Sequence, residues 1–443
     1  MKLDLKNKRY ILDGAMGTLM INEGMQQGED STSFALAHPD IIANIHRAYI
    51  DAGSDIIYSP TFNLNRAKAE KLGGSIENTV SMLMKSTLQV RDEAKANGKE
   101  VLAALDIGPQ GDMMEPFGTL TFEDAYAFFA DFVKAGVAEG ADLVVIETMS
   151  DLYETKAAVL AAKENSNLPV IVSLSFEESG RTYLGVSIEA MAATLESLGV
   201  DAMGINCSLG PIQILPLIKR LMEATNVPVF AKPNAGLPDA QTGEYDISCD
   251  AFVDVMKSYF EAGVCMAGGC CGTTPEYIKG LAEYAKAHPA EPAEVEPVKA
   301  EPVEASAGAG MICSNMKAVA LSDESKIGRA IDPAADSTVA DSLAMGDVYS
   351  LLDMALQQAD EGADAIVINC DAPGADVQTL LPQAVKFLQS MCDLPMILES
   401  ASPQAMEAAL RVYNGRPGVS MRLASGCAGD MEAAAAKYGA LII

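Results

Sequence analysis

Short apolar runs alternate with longer amphipathic stretches through the first 288 residues of the chain. Eight of these runs have the length and composition of buried strands. They lie at residues 10–12, 55–58, 101–105, 143–146, 170–174, 202–205, 229–231 and 264–267. Helix-length segments such as 122–138, 152–162 and 251–261 separate them. Eight strand-then-helix units predict an α/β fold of the (β/α)8 TIM barrel type, and a doubly wound open sheet is the alternative.

A Pro- and Glu-rich segment interrupts this pattern at residues 289–310. It reads PAEPAEVEPVKAEPVEASAGAG and shows no apolar periodicity. Such a composition predicts an extended, semi-rigid linker. The chain is therefore expected to comprise a barrel at residues 1–288, the linker at 289–310 and a smaller domain at 311–443.

The strand-and-helix pattern returns, more weakly, after the linker. The predicted strands lie at residues 317–321, 365–369, 395–398, 418–421 and 440–443. This part of the chain is too short for eight strand-and-helix units, so a second closed barrel is excluded. We expect a smaller, incomplete half-barrel domain of the same α/β class.

Composition and charge narrow the classes of function. Hydrophobic residues make up 49% of the chain and charged residues 21%, as in ordinary folded proteins, and no apolar run is long enough for a membrane span. The net charge of −30 repels phosphate backbones and anionic lipids, so nucleic acid and membranes are not expected partners. Nine cysteines and a start without a signal peptide favour a cytoplasmic protein.

Polar residues directly follow several of the predicted barrel strands. Because active sites of such barrels lie at the carboxyl ends of the strands, these residues are expected to converge. They are Asp13, Glu147, Asn206, Cys207, Asn234, Cys270 and Cys271. Histidine occurs only at positions 38, 46 and 288, which argues against a His-built metal site or a serine-type triad. Cysteine, Asp and Glu are left to carry the chemistry.

The cysteines at two of these strand ends favour a metal site. Cys207, Cys270 and Cys271 could supply three thiolates and leave the fourth position of a zinc ion open, as in catalytic zinc sites. Glycines on both sides of the adjacent pair free the backbone to turn both sulfurs the same way. The alternatives are buried core thiols, or a redox pair formed by the two adjacent cysteines.

The loop after the first strand is a candidate anion site. It consists of Gly14, Ala15, Met16, Gly17 and Thr18. The N–H groups of such a loop can hold a carboxylate. The acids at positions 13 and 147, at the same mouth, would bind an ammonium group, so the set is typical of α-amino acid recognition. A plain tight turn with exposed acids nearby is the alternative.

Motifs along the barrel segment resemble those of the homocysteine S-methyltransferase family. They are DGAMGT (13–18), HPD (38–40), TF (61–62), IGP (107–109), ETMSD (147–151), SFEESGRT (175–182), NCSLGP (206–211), PNAG (233–236) and GGCCGTTP (268–275). The likeness runs almost continuously from residue 1 to about 288. It is greatest to the homocysteine-binding module of the cobalamin-dependent methionine synthases. Asn63 stands where the family usually has Gly, a change that would reshape the second loop.

The resemblance implies a zinc-dependent methyltransferase that converts homocysteine to methionine. It implies the three cysteines as zinc ligands, Asp13 and Glu147 near the substrate amino group, and Asn234 beside the metal. The reacting group would be the zinc-bound substrate thiolate, since the metal removes the thiol proton and no protein base is needed. A non-catalytic homocysteine- or zinc-binding regulatory protein, and methylation of another small thiol, are the alternatives.

The sequence identifies the methyl donor less precisely than the methyl acceptor. Members of the family use methylcobalamin, betaine or sulfonium compounds, and aromatic residues commonly recognise the cationic donors. The chain has no Trp, which favours methylcobalamin over S-methylmethionine or S-adenosylmethionine. The three histidine positions are incompatible with the Asp-x-His-x-x-Gly motif of a cobalamin module, so a separate corrinoid protein is the expected partner.

The last hundred residues, from about 347 to 443, are similar to the first half of a pterin-binding barrel, which is a folate module. Asn369 matches a polar position of that family. Val367 replaces an acid, Glu399 replaces an Asp, and the later strands of the family are missing. The similarity therefore implies a remnant that is not expected to bind folate. A docking or dimerisation role, with a homodimer as the product, is expected instead.

Overall fold

The chain divides into two compact units. The structure is a computed structural model that describes residues 3–5, 7–26, 28–239, 242–289 and 310–443. The first unit comprises Met1–Leu184, Val200–Glu223 and Val227–Glu301, and the second comprises Gly185–Gly199, Ala224–Asn226 and Pro302–Ile443. The predicted linker lies outside the described residues except for its two ends, Pro289 and Gly310. The linear domain limits of 1–288 and 311–443 stay a prediction.

The first unit is built on a barrel of eight parallel strands. They are β1 (Tyr10–Ile11), β2 (Ile56–Tyr58), β3 (Leu102–Ile107), β4 (Leu143–Met149), β5 (Val170–Leu174), β6 (Ala202–Asn206), β7 (Val229–Lys232) and β8 (Met266–Ala267). Seven neighbouring pairs run in the order β1-β8-β7-β6-β5-β4-β3-β2. A parallel bridge between Leu12 and Ile56 joins the two ends. The predicted (β/α)8 barrel is confirmed, and the open-sheet alternative is wrong.

Helices connect successive strands of the barrel. They are α1 (Met16–Asn22), α2 (Ser31–Ala37), α3 (Pro39–Ala52), α4 (Arg66–Gly73), α5 (Ile76–Ala96), α6 (Phe122–Glu139), α7 (Leu152–Asn165), α8 (Ile188–Ser197), α9 (Pro211–Ala224), α10 (Cys249–Ala262) and α11 (Pro275–Ala287). The helices predicted from the sequence coincide with α6, α7 and α10. Every helix in the described ranges is too short or too polar to cross a membrane.

Local sequence explains where these helices start and stop. Helix α6 begins after Thr121, whose hydroxyl accepts the N–H of Asp124, and ends at Gly140 with φ 97°. A side-chain cap of this kind stabilises a helix by about 1 kcal/mol, and a left-handed terminus favours glycine. Helix α7 starts in the same way after Asp151, which accepts the N–H of Tyr153. The two side-chain caps thus fix where α6 and α7 begin after the loops that follow β3 and β4.

The interior of the barrel is filled by side chains from the strands. This buried cluster consists of Tyr10, Leu12, Ile56, Tyr58, Leu102, Ala104, Leu143, Val145, Ile171, Ala202, Phe230, Cys265 and Met266. Alternate residues along each strand point inward, so the apolar core leaves the polar residues at the strand ends to form one mouth.

The second unit contains two small sheets. Strands β9 (Met311–Ser314), β10 (Ala318–Ala320) and β14 (Gly415–Arg416) form an antiparallel sheet. An open parallel sheet runs in the order β11 (Ile327–Ile331), β12 (Ala365–Asn369), β13 (Met396–Glu399), β15 (Gly418–Val419) and β16 (Leu441–Ile442). Its helices are α8, α12 (Ser337–Ala344), α13 (Leu351–Asp360), α14 (Val377–Leu388), α15 (Pro403–Arg411) and α16 (Ala428–Tyr438).

The predicted smaller α/β domain is thus confirmed, with one correction. The apolar run at residues 317–321 is β10, which lies in the antiparallel sheet. The first parallel strand is β11, whose sequence IGRAI interrupts its apolar residues with Gly328 and Arg329. Because this interruption masks the buried-strand pattern, the strand is not recognisable by hydrophobicity alone. The other four predicted strands overlap β12, β13, β15 and β16.

Candidate functional site

A cavity of about 260 Å³ lies at the carboxyl ends of the barrel strands. Every site residue predicted for the barrel lines it except Asn206 and Asn234. The lining also includes Lys232, Asp106 and Tyr58, which the sequence patterns did not single out. The predicted convergence of residues from different strand ends is therefore found in the first unit.

Two carboxylates and one lysine form the floor of the cavity. Asp13 is 1% exposed and Glu147 is 8% exposed. We call these two residues the acidic pair. The Lys232 Nζ atom lies 3.2 Å from Asp13 Oδ1 and 3.6 Å from Glu147 Oε2. The second oxygen of Asp13 accepts the N–H of Tyr58 at 2.8 Å. The acidic pair thus shares one buried cation.

Burial shifts the titration of each of these groups. It raises the pKa of Asp13 and of Glu147, although the charge of Lys232 opposes the shift in both. Burial and the neighbouring Glu147 charge hold the pKa of Asp106 well above its ordinary value. Burial alone would lower the pKa of Lys232, but the two carboxylates outweigh it and hold that pKa well above its usual range. Lys232 therefore stays charged.

Three cysteines lie together beside the acidic pair. The Sγ atoms of Cys207, Cys270 and Cys271, which we call the thiol cluster, all lie within 4.8 Å of one another. Those of Cys207 and Cys271 are 3.9 Å apart. All nine cysteines of the chain are described, and each is a free thiol. The thiol cluster is the one group of metal-ligating side chains of this kind found within the described ranges.

Backbone conformation brings the three sulfurs to one point. Cys207 follows β6 with φ 60°, in the left-handed region that a non-glycine residue rarely adopts. After β8, the N–H of Cys270 donates to Pro233 O at 2.8 Å, and Gly272 turns the chain with φ 81°. A side chain at Gly272 would collide with the Tyr245 ring, at 2.3 Å. The glycine expected to free this turn is therefore required there.

Without a cation among them, the three thiols of the cluster have different pKa values. Hydrogen bonds from Cys207 and Cys270 lower the pKa of Cys271 to about 3. Hydrogen bonding to Cys270 lowers the pKa of Cys207, but Cys271 and burial outweigh it and raise that pKa to about 12. The bonds to its two neighbours, with burial, hold the pKa of Cys270 well above its ordinary value. Ionising all three thiols requires a cation among them.

The glycine-containing loop at residues 14–18 forms another wall of the cavity. One of its N–H groups, that of Ala15, donates to Thr273 Oγ1 at 3.2 Å. The Thr18 hydroxyl accepts the N–H of Gly272 at 3.2 Å. A Cβ atom at Gly14 would lie 2.8 Å from both the Thr273 and the Tyr49 hydroxyl oxygens, so only glycine fits. These contacts attach the loop to the turn that carries Cys270 and Cys271.

Asn234 lies next to the cavity and does not line it. Its N–H donates to Leu209 O at 3.1 Å. Its side-chain Oδ1 is buried and has no hydrogen-bond partner among the described residues. A buried amide oxygen without a partner is costly, which is consistent with a role that requires a ligand.

Lys232 and Asp106 are the residues of this site that sequence reasoning missed. Lys232 ends β7 and Asp106 lies within β3, yet each directly follows an apolar run predicted from the sequence, 229–231 and 101–105. The available signal was a charge inside an otherwise apolar run, FAK in one case and AALDI in the other. Charged residues are almost never fully buried without a partner, so such a charge points to a built site.

In the second unit, Asn369 lies in a polar cluster at the ends of the parallel strands. Its Nδ2 donates to Asp332 Oδ1 at 3.1 Å and to Glu399 Oε1 at 3.5 Å. Glu399 is 0% exposed, and it accepts the Ser420 hydroxyl at 2.7 Å and Arg422 Nε at 2.9 Å. The Arg422 guanidinium also binds Asp332 at 2.6 Å. The acidic groups of this cluster are thus bound by the chain itself.

Comparison with known proteins matches most of the first unit to one family. Residues 10–285 match the family described as homocysteine S-methyltransferase. The methionine synthase of Mycobacterium leprae (strain TN) is 27% identical over 431 residues, which cover 93% of this chain and 35% of that protein. The methionine synthase of Mycobacterium tuberculosis (strain ATCC 25618 / H37Rv) is 27% identical over 437 residues, 94% of this chain and 35% of that protein. The chain thus spans about a third of these relatives.

Solved structures show the same barrel. The oxidized form of the homocysteine methyltransferase MmuM from Escherichia coli has a TM-score of 0.54 at 22% identity, covering 62% of this chain and 96% of that one. The metallated form of the same protein has a TM-score of 0.54 at 23% identity, covering 63% and 97%. At this identity the likeness establishes the fold of the first unit.

Proposed function

Because the chain belongs to the homocysteine S-methyltransferase family, we propose that its barrel activates the thiol of homocysteine at a zinc site for methylation to methionine. One observation carries the proposal. The thiol cluster and the acidic pair line the same cavity of about 260 Å³. That arrangement offers a metal site for the sulfur of an amino-acid thiol and a counter-charge for its ammonium group.

The thiol cluster fits zinc. A tetrahedral ion with Zn–S distances of about 2.3 Å holds two sulfur ligands roughly 3.8 Å apart. The 3.9 Å between the Cys207 and Cys271 sulfurs agrees with that spacing. Cys207, Cys270 and Cys271 would hold the metal, and three protein ligands leave its fourth position for substrate. When bound, zinc lowers the pKa of a coordinated thiol, so the acceptor becomes nucleophilic without a protein base.

The remaining lining residues bind and orient the substrate. Glu147 Oε2 is buried and has no hydrogen-bond partner among the described residues. An α-ammonium group facing the acidic pair would satisfy this unused acceptor capacity. N–H groups of the loop Gly14, Ala15, Met16, Gly17 and Thr18 would hold the substrate carboxylate, apart from that of Ala15, which Thr273 Oγ1 already accepts. Asn234, with its free Oδ1, would lie beside the metal.

We propose methylcobalamin on a separate corrinoid protein as the methyl donor. The similarity to two methionine synthases over 93% and 94% of this chain supports this donor. Since the chain spans 35% of their length, the donor is a proposal and not part of the family assignment. S-methylmethionine and S-adenosylmethionine are the competing donors.

The second unit is proposed to act in docking or dimerisation and not in folate binding. The support is the polar cluster around Asn369, where Arg422 and Ser420 bind the buried Glu399 carboxylate. A ligand would have to displace these internal partners. A homodimer is the simplest product of such a role, and a cytoplasmic location fits nine free thiols.

Zinc content and donor use test the proposal. The wild-type chain should hold about one zinc, Cys270→Ala and Cys271→Ala should lose it, and Cys249→Ala, a half-buried thiol at the start of α10, should keep it. With homocysteine, methionine should form from methylcobalamin and not from S-methylmethionine or S-adenosylmethionine. Methionine formed only from a sulfonium compound would reject the corrinoid donor. Homocysteine binding without turnover from any donor would favour a regulatory protein.

A further inference from the structure

Lys232 is a buried cation in contact with groups from three other strands. It is 3% exposed at the end of β7. Its Nζ atom lies 3.2 Å from Asp13, which follows β1, and 3.6 Å from Glu147 on β4. The same atom lies 3.6 Å from the centre of the Tyr58 ring, at the end of β2. All of these contacts are within the wall of the cavity.

The acidic pair requires such a cation. Two carboxylates buried in one cavity repel each other, and burial disfavours the charge on each. Without a counter-charge, at least one of them would take up a proton and lose its attraction for an ammonium group. The buried Asp106, 4% exposed in the same cavity, adds a third carboxyl. Lys232 lies between Asp13 and Glu147, where its charge opposes this repulsion.

Asp13 and Lys232 are bound to each other and to the barrel, whereas Glu147 keeps spare capacity. Asp13 uses one oxygen on Lys232 and the other on the Tyr58 N–H. Glu147 Oε2 has the lysine as an ion-pair partner but no hydrogen bond from any described residue. With both carboxylates ionised, the acidic pair and Lys232 together carry one net negative charge. One α-ammonium group would neutralise it.

We propose that Lys232 is a positioning residue, which holds Asp13 and Glu147 in place as a binding site for a single α-ammonium group and so selects amino-acid thiols. This inference rests on the proposed homocysteine function. Lys232 is already paired with both carboxylates, so it is assigned no contact with the substrate carboxylate.

Two thiols that differ only in the amino group test the proposal on the zinc-loaded full chain. Homocysteine carries the α-ammonium group, and 4-mercaptobutanoate lacks it. The wild-type protein should bind homocysteine roughly tenfold to a hundredfold more tightly, as expected for one charge-assisted contact. Lys232→Met should remove most of this preference by weakening homocysteine, while 4-mercaptobutanoate binding and zinc content change little. Lys232→Arg, which keeps the charge, should retain a preference.

A matched control and a double variant accompany this test. Lys163→Met removes a half-buried lysine that pairs with Asp201 at 3.4 Å, and it should change neither affinity. Asp13→Asn combined with Lys232→Met removes one charge of each sign and, with the two single variants, completes a double-mutant cycle. In this cycle the loss of homocysteine affinity should be smaller than the product of the two single effects, because the two side chains are in contact.

The outcomes separate this inference from the proposed function. An unchanged preference in Lys232→Met, equal losses for both thiols, or independent effects of the two substitutions would overturn the role of Lys232 alone. A wild-type protein with no preference for homocysteine over 4-mercaptobutanoate would contradict both the positioning role and the proposed substrate.

Discussion

Asn206 and Thr148 form two hydrogen bonds with each other. The Asn206 Nδ2 donates to Thr148 Oγ1 at 2.7 Å, and the Thr148 N–H donates to Asn206 Oδ1 at 2.9 Å. Thr148 directly follows Glu147, and Asn206 directly precedes Cys207. Thr148 and Cys207 both have left-handed backbones, with φ of 61° and 60°. This pair therefore fixes the Glu147 carboxylate and the Cys207 thiol relative to each other.

Asn206→Ala should weaken both zinc and homocysteine binding. The substitution leaves the Thr148 N–H and the buried Ser173 hydroxyl without their acceptor, Asn206 Oδ1. Each unsatisfied buried group costs about 1–3 kcal/mol, and the strained turn at Cys207 loses its anchor. Ser175→Ala is the matched control, since it removes one hydrogen bond to Asn206 O at 2.8 Å and leaves the amide in place. Equal zinc affinities in the two variants would contradict this role.

Asp13→Asn and Glu147→Gln should weaken homocysteine binding without loss of zinc. Each replaces a carboxylate of the acidic pair with a neutral amide of similar shape. Loss of one charge-assisted contact costs about 1.5–3 kcal/mol, or roughly tenfold to a hundredfold in affinity. Calorimetry on the zinc-loaded chain measures the homocysteine affinity. Glu177→Gln, a substitution of an exposed carboxylate, is the control. Unchanged homocysteine affinity in both variants would reject the amino-group role.

Glu154 should make the stability of the protein fall as pH rises. Burial raises its pKa from 4.5 to about 7, although the Gln110 N–H, donated at 2.8 Å, opposes the shift. Between these two values the unfolded chain has lost the proton and the folded chain keeps it. The stability from the protonated carboxyl is therefore full below about pH 4.5 and lost above about pH 7.

Glu154→Gln removes this titration and should raise stability at pH 8 by about 3 kcal/mol, with little effect at pH 4.5. Unfolding midpoints of the full chain at the two pH values measure the difference. Glu261→Gln, an exposed carboxylate in α10, serves as control. A variant that is equally stabilised at both values would show that the effect is not due to titration.

Arg422→Met should destabilise the second unit by about 2 kcal/mol. The substitution removes the guanidinium that binds the fully buried Glu399 and also Asp332. Breaking a buried pair costs about 3–5 kcal/mol, reduced here because the Arg422 side chain is 46% exposed. Arg329→Met is the control, since that guanidinium lies 4.0 Å from Glu399 and is 57% exposed.

Tetrahydrofolate binding is a second measurement on this unit. The proposal predicts no tight binding to the wild-type chain. Tight binding by the wild type would reject the interpretation of Asn369 and Glu399 as a remnant. If Arg422→Met and Arg329→Met destabilise the unit equally, Arg422 has no special role in satisfying Glu399.

The barrel was predictable because its strands are buried on both faces. Runs such as 101–105 and 143–146 are therefore continuously apolar. The thiol cluster and the acidic pair were predictable because they follow these runs. Lys232 directly follows the run 229–231 in the same way, but its partners Asp13 and Glu147 are distant in sequence, so its place between them was not predictable. Strand β11 was missed because Arg329 interrupts its pattern, and nothing in the local sequence of α8 indicates that it groups with the second unit.

The central claim is that the thiol cluster holds a zinc ion to which the homocysteine sulfur adds as a further ligand. X-ray absorption at the zinc edge of the full chain, with and without homocysteine, tests it most directly. The account predicts three protein sulfurs at about 2.3 Å without substrate and four with it. A sulfur count that stays the same when homocysteine is bound, or a zinc ion without sulfur ligands, would contradict it.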